Sequence, residues 1–406
     1  MPARFPIRLT PFLRPESHHL PRNVTALGLV SLLMGASSYM IVGLLPIFLV
    51  TVIGVSTVSV GWIEGVAEAT NSVAKILSGT LSDRLRRRKS LVVLGYGLAA
   101  CVKTLFPIAT DAPTVLFARF ADRLGKGLRD APRDALMADE LPARSRGAGF
   151  GLRLALFTIG CVSGPLLATL IMLNSGNDFR LVFLVALVPA FLSVVVLVFG
   201  VTEAPNANDR LVFSARAIGR LPPALWWTIA AATLLALARF SQAFLLLKAR
   251  HVGVDTALVP TFIMVMGLVY GIAAFPCGAL ADTMNRRVQL WIGIGVLIAC
   301  YLVLATAAGV AQAVAGAALW GLQMGIIEGL MAAAIADAAP PNLRGTAFGL
   351  YYFCTGLASL AASAVAGVVW SAAGPSQTFL IGAAVAAVAA CMVVFVPSRQ
   401  GVEPAR

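Results

Sequence analysis

Eleven apolar runs follow one another along this chain, near residues 24–50, 59–79, 91–110, 148–173, 180–202, 224–248, 258–280, 290–309, 313–337, 346–372 and 377–396. About 20 apolar residues in helical form span the hydrocarbon of a bilayer. Lipid offers no partner to backbone amides and carbonyls, so a segment that crosses it must satisfy them within itself, as a helix does. The succession of runs therefore predicts an all-α integral membrane protein with many spans. It excludes an ordinary soluble enzyme and a soluble domain on a single anchor. Charged residues make up 12% of the 406, against about 25% in soluble domains. The formal net charge of +13 could point to nucleic acid, but multispan proteins gather Lys and Arg in cytoplasmic loops. No nucleic-acid partner is expected.

A twelfth span is concealed between Thr114 and Ala138. Eight charges crowd it (Arg119, Asp122, Arg123, Lys126, Arg129, Asp130, Arg133 and Asp134) and hide it from a hydropathy count. At the helical step of 100° per residue they fall within an arc of about 140°. The opposite face carries Phe120, Ala121, Leu124, Gly125, Leu128, Ala131 and Ala135. Facing lipid, each charge would cost about 2.5–3.5 kcal/mol, over about 20 kcal/mol together. The arc must therefore face a water-filled cavity or opposite charges.

An internal repeat supports this span. Residues 138–152 (ADELPARSRGAGFGL) match 336–350 (ADAAPPNLRGTAFGL) at 8 of 15 positions with an offset of 198. GTLSDRLRRR at 79–88 matches GALADTMNRR at 278–287 with an offset of 199. Two homologous halves in parallel are a transporter architecture, and the offset lays 115–138 on the plainly apolar 313–336. The expected organisation is a tail at 1–23, a six-helix bundle at 24–202, a linker at 203–221, a second six-helix bundle at 222–397 and a tail at 398–406. With twelve spans and both termini cytoplasmic, 19 of the 31 Lys and Arg residues fall on the cytoplasmic side and three (Arg180, Lys248, Arg250) opposite. That bias predicts both ends inside. Residues 1–23 lack the apolar core of a signal peptide, so the first span is expected to be retained. The six cysteines lie in apolar runs without CxxC spacing, and His18, His19 and His251 lie in the tail and a loop. Neither a metal site nor a cofactor is expected.

Twelve spans in two halves, with GTLSDRLRRRK after the second, resemble the major facilitator superfamily, whose signature there reads GxLxDRxGRRxx. The resemblance runs from about residue 24 to 397. Gly79, Asp83, Arg84, Arg87 and Arg88 match it, with Arg86 in place of the turn glycine; Asp282, Arg286 and Arg287 are the second-copy counterparts, with Asn285 at the turn. The resemblance implies that these residues form a cytoplasmic latch holding the halves together in one conformation, and that the protein works as a monomer. Arg119 with Gly125 and Gly127 resembles the fourth-helix signature. Gly160, Gly164 and Pro165 (GCVSGP) resemble the signature that exporters of the superfamily carry on helix five. Small residues four apart let helix backbones approach, and a proline bends the helix. The runs 61–84 and 118–142 look like a prokaryotic branch of the superfamily, which implies a cytoplasmic membrane location.

Ionisable groups inside spans are functional candidates by default. Glu64, Glu68, Asn71 and Lys75 share an arc of about 60° on the second helix. A carboxylate desolvated when a cavity closes and rehydrated when it opens changes its proton affinity with conformation. Glu64 and Glu68, with Lys75 near, are therefore the proton-coupling candidates. The resemblance implies that helices one, four, seven and ten line a central cavity. Arg119, Arg123, Lys126, Asp130 and Arg133, with Arg239 on helix seven and Glu328 on helix ten, are the substrate candidates. Glu328 falls on Asp130 at the 198 offset, with Arg239 as a possible partner. Six bases against four acids on these helices lean toward an anionic or zwitterionic solute.

The expected function is an alternating-access secondary transporter, a proton-driven exporter of small organic solutes. The alternative is a proton-coupled importer of an anionic or zwitterionic metabolite. A membrane-embedded enzyme is a distant third, because the adjacent acids Asp139 and Glu140 sit in a loop with no accompanying nucleophile or metal set.

Overall fold

The apolar runs become helices near their expected positions. A computed structural model of the chain describes residues 21–85, 88–141, 146–203, 221–340 and 343–395, and no strand occurs among them. The expected tails and linker lie outside the described residues except at their edges. The first half contains α1 (Arg22–Val42), α2 (Leu45–Thr51), α3 (Thr57–Leu85), α4 (Arg88–Lys103), α5 (Leu105–Ile108), α6 (Ala112–Glu140), α7 (Arg146–Asn174), α8 (Phe179–Val185) and α9 (Leu187–Gly200). The second contains α10 (Pro223–Ala238), α11 (Ala243–His251), α12 (Pro260–Thr283), α13 (Arg286–Thr306), α14 (Val310–Ala338) and α15 (Arg344–Met392).

Among the described residues, nine stretches are long and apolar enough to cross a membrane. The charge-bearing α3 and α6 fall outside that criterion, yet each runs as a helix of 29 residues. The concealed span is thus a helix. It starts where the Asp111 carboxylate accepts the Thr114 amide at 2.8 Å, an N-cap that holds this carboxyl below the usual carboxylate range. α15 is divided at Gly374, whose φ of 89° suits glycine, and Pro375 opens the following stretch in a position a proline favours. So divided, the helices fit the expected twelve spans. Trp62, Phe117, Phe120, Phe199 and Ile272 are exposed, as a lipid-facing belt requires.

Within the first half α1 packs on α7 and α9, while α3 and α4 pack on α6; within the second, α12 and α13 pack on α14, and α10 and α13 on α15. Gly160 and Gly164 lie against the α1 backbone at Leu32 and Ala36, where a Cβ on Gly164 would come within 3.1 Å of the Ala36 Cα. The GCVSGP run therefore packs two helices of the same half. The halves meet through α3 against α15 and α7 against α12. Gly61 approaches the Ser363 carbonyl, and a Cβ on Gly65 would lie 2.9 Å from the Leu360 carbonyl oxygen. These approaches cluster toward the end of the molecule that carries the tight turns at Gly54, Gly176, Gly253 and Gly374, all with positive φ. At that end α2 meets α11, and Leu44, Leu45, Phe48, Leu49, Leu245 and Leu246 are fully buried.

Candidate functional site

Between the halves lies a cavity of about 820 Å³, inside the usual range of small-molecule sites, about 300–1,000 Å³. The first half gives it a charged wall. α3 presents Glu64, Glu68, Asn71 and Lys75, and α6 presents Asp122, Arg123, Lys126, Arg129, Asp130, Arg133 and Asp134. The two polar arcs share a cavity because Gly127 of α6 sits against the backbone of Asn71 and Lys75, letting the helices approach closely. The second half offers mainly rings and thioethers: Phe240, Met266, Trp320, Met324, Tyr351 and Tyr352. Arg239 and Glu328 join them there. They face each other at 3.4 Å, so the expected partnership is present. The cavity is sealed at the tight-turn end. Toward the other end Asp134 and Glu328 each keep 42% of their side-chain surface, so the cavity opens on the side where α1 begins and α15 ends.

Most of the acids are paired. Glu64 accepts Arg119 Nε at 3.0 Å and Nη2 at 2.6 and 2.7 Å, the short geometry of charge-assisted bonds. Arg119 is 2% exposed and does not line the cavity. This corrects its expected place on the cavity face. It lies nearer the sealed end than Asp122, where α3 closes over α6, and a guanidinium buried there needs a carboxylate. Asp130 accepts Arg133 at 3.0 Å and has Lys75 at 3.9 Å, while Lys75 also lies 5.4 Å from the centre of the Tyr352 ring across the cavity. Asp134 is shared by Arg133 at 3.0 Å and Arg153 at 3.9 Å. Glu68 accepts Asn71 Nδ2 at 3.2 Å and has no ion-pair partner among the described residues.

Two features went unread in the sequence. Lys103 is 1% exposed, and its Nζ donates to Ser37 Oγ at 2.9 Å and Ser38 Oγ at 2.8 Å, with Met34 Sδ at 3.2 Å. A lone cation in an apolar span is the same kind of signal that singled out Glu328, and it could have been found by it. The run 224–248, expected as one helix, is broken between α10 and α11 at Arg239–Gln242. The break turns Ser241 into the cavity, where its amide donates to Ser363 Oγ at 3.1 Å and its hydroxyl to Glu64 Oε2 at 3.4 Å. The break between α1 and α2 at Gly43 and Leu44 is its counterpart in the first half. Broken helices beside a central site are a recurring transporter device.

Two of the expected latch arginines have acid partners in the structure. Arg88 pairs with Asp139, and Arg286 pairs with Asp337 at 2.6 Å. Both contacts lie within one half. Asp139 and Asp337 are equivalent at the 198 offset, and each holds the first residue of a helix, α4 or α13, to the end of the helix packed beside it. The Glu203 carboxylate accepts the Arg88 amide at 2.7 Å and the Lys89 amide at 3.0 Å, an anion on a helix N-terminus. Gly79 falls within α3, and the Arg287 amide donates to Asn285 Oδ1 at 3.0 Å. Arg87 and the side chains of Asp83, Arg84 and Asp282 lie outside the described residues.

Two membrane bundles packed around a central charged cavity define a secondary transporter, a multi-pass protein that carries a small molecule. The chain belongs to the Major Facilitator Superfamily, whose sequence pattern matches residues 27–363. It is 32% identical over 387 residues to an MFS-type transporter of Methanocaldococcus jannaschii, covering 94% of this chain and 96% of the relative. The multidrug resistance protein MdtH of Enterobacter sp. is 30% identical over 144 residues, 36% of this chain and 35% of that protein. The crystal structure of the nucleoside transporter NupG shares the fold, with a TM-score of 0.76 at 14% identity over 92% of this chain and 100% of that one. The family and the Methanocaldococcus relative indicate transport rather than catalysis.

Proposed function

We propose that the protein is a proton-coupled exporter of small organic solutes, working as a monomer by alternating access in a prokaryotic cytoplasmic membrane with both termini inside. The observation that carries this reading is the cavity between two homologous halves, sealed at one end and open at the other. Rocking one half against the other exchanges the sealed and open ends around a fixed site. With the termini inside, as the excess of basic residues on that side supports, the open end faces the cytoplasm and loads from it. Glu68 suits the proton role, because it lines the cavity with no cation bound to it, whereas Arg119 clamps Glu64. Export is supported by the GCVSGP run and by kinship to a protein named for multidrug resistance.

A second reading, proton-coupled import of an anionic metabolite, draws on Arg123 and Lys126, which act electrostatically on Glu68. A proton on Glu68 would remove the negative charge that competes with an anion for these cations, so proton and solute would move together. Purified protein in proteoliposomes of known orientation separates the two. An exporter accumulates its solute in inside-out vesicles with an acidic lumen. Accumulation confined to right-side-out vesicles in an acidic medium supports import. Solute counterflow that no pH gradient affects, and that moves no protons, refutes the coupling.

A further inference from the structure

The charges of the cavity do not cancel. Glu64, Asp130, Asp134 and Glu328 each hold a cation within 4.0 Å. Arg123, Lys126 and Arg129, on successive turns of α6, have no ion-pair partner among the described residues. They line the cavity with only Glu68 and Asp122 as acids without a bound cation. Arg129 is 6% exposed and is held with its guanidinium 4.3 Å from the centre of the Tyr96 ring. Its Nε and Nη1 are buried without a hydrogen-bond partner, as is Arg123 Nε. Open donors on a buried cation are costly. They are retained where something arriving from outside completes them.

Behind the same wall stands Lys103, whose hydrogen bonds go to the neutral side chains of Ser37, Ser38 and Met34. Ser38 lines the cavity. Its oxygen accepts from Lys103 at 2.8 Å, and the hydroxyl carries one O–H donor besides. The first half therefore offers fixed positive charge and hydrogen-bond donors. The facing wall offers the half-buried rings of Tyr351 and Tyr352, with the Met324 thioether beside them.

We propose, on the footing of the transporter reading, that the substrate is an organic anion: a carboxylate or comparable acid joined to an aromatic or otherwise apolar body. The acid is received by Arg123, Lys126 and Arg129, with the Ser38 hydroxyl beside them. The body lies on the Tyr351 and Tyr352 wall.

The test uses the full chain in lipid nanodiscs and three probes that share one ring system: 2-naphthoate, 2-naphthamide and 2-naphthylmethylammonium. Calorimetric titration is expected to show the carboxylate binding at least about tenfold more tightly than the amide, and the ammonium probe weakest. Arg123→Gln and Arg129→Gln should each weaken the carboxylate about tenfold, as loss of one charge-assisted contact does, and leave the amide unchanged. Tyr351→Ala should weaken carboxylate and amide alike. Where Arg129→Gln does not fold, the more exposed Arg123 carries the comparison. Equal affinity for carboxylate and amide, preference for the ammonium probe, or no binding of the carboxylate overturns the assignment. Counterflow in proteoliposomes separates this failure from failure of the transport reading. Tight carboxylate binding without counterflow leaves the anion site standing and removes transport. Counterflow of the ammonium probe alone keeps transport and removes the anion site.

Discussion

Glu64→Gln tests whether the Arg119 pair is a fixed structural element or part of the transport cycle. Arg119 is 2% exposed, and its side chain meets Glu64 at 2.6 Å. Removing one partner of a buried ion pair leaves the other charge uncompensated, at about 3–5 kcal/mol. Glutamine retains one oxygen to accept a bond, which places the cost near the lower bound, about 3 kcal/mol. At about 1.4 kcal/mol per decade, the ratio of folded to unfolded protein falls roughly a hundredfold. Arg119→Gln combined with Glu64→Gln replaces the pair with two neutral amides of similar shape. Removing both charges of a buried pair together is close to neutral in comparable cases, so the double variant should lose less than about 1.5 kcal/mol and recover at least half of the single loss. The coupling is read from a double-mutant cycle, using unfolding titrated with SDS in mixed micelles and followed by tryptophan fluorescence. A single-variant cost under about 1 kcal/mol, or a double-variant cost equal to the sum of the singles, would refute a fixed buried pair. A Glu64→Gln protein of normal stability that no longer couples to protons would return the proton role to Glu64.

Glu68→Gln should abolish proton-driven accumulation while solute exchange persists, and Glu328→Gln should change solute affinity while saturating solute still moves protons; proton uptake and counterflow on the same vesicles decide, and the opposite result moves the proton site to α14. Gly61→Ala places a methyl group against the Ser363 carbonyl, which overpacks the sealed end by about 1–3 kcal/mol and should raise its opening about 5- to 150-fold. Labelling of Ser241→Cys by an impermeant reagent added on the tight-turn side measures that shift, and unchanged labelling contradicts the assigned seal. Lys103→Met removes the donor to Ser37 and Ser38 and should weaken 2-naphthoate several-fold with 2-naphthamide unchanged; equal losses for both probes would make Lys103 a packing element.

The charged helix α6 was legible because two kinds of sequence evidence agreed on it. Its charges keep to one arc, and the repeat lays it on an apolar span. Glu328 with Arg239 was legible because an isolated charge in lipid needs a partner, and few residues were available. Arg119 was not, because periodicity ranks it with the cavity face, and only the position of α3 shows that the cavity has closed before reaching it. The helix break at Arg239–Gln242 carries neither proline nor glycine, so no local rule announces it. The breaks at Gly43 and at Gly374 do contain such residues.

Taken alone, the amino-acid sequence determined the membrane environment, the helical segments and the two-fold organisation, because these follow from the length and period of apolar runs and from self-similarity along the chain. It also determined which charges lie within the membrane. Which of those charges are paired, which stand open to a solute, and which end of the cavity is sealed were decided by tertiary structure. The physical reason is that the energy of a buried charge depends on groups within a few ångströms of it. In this protein those groups come from helices far apart in the chain, as when Arg119 meets Glu64 within the first half and Ser241 reaches Glu64 across the two halves.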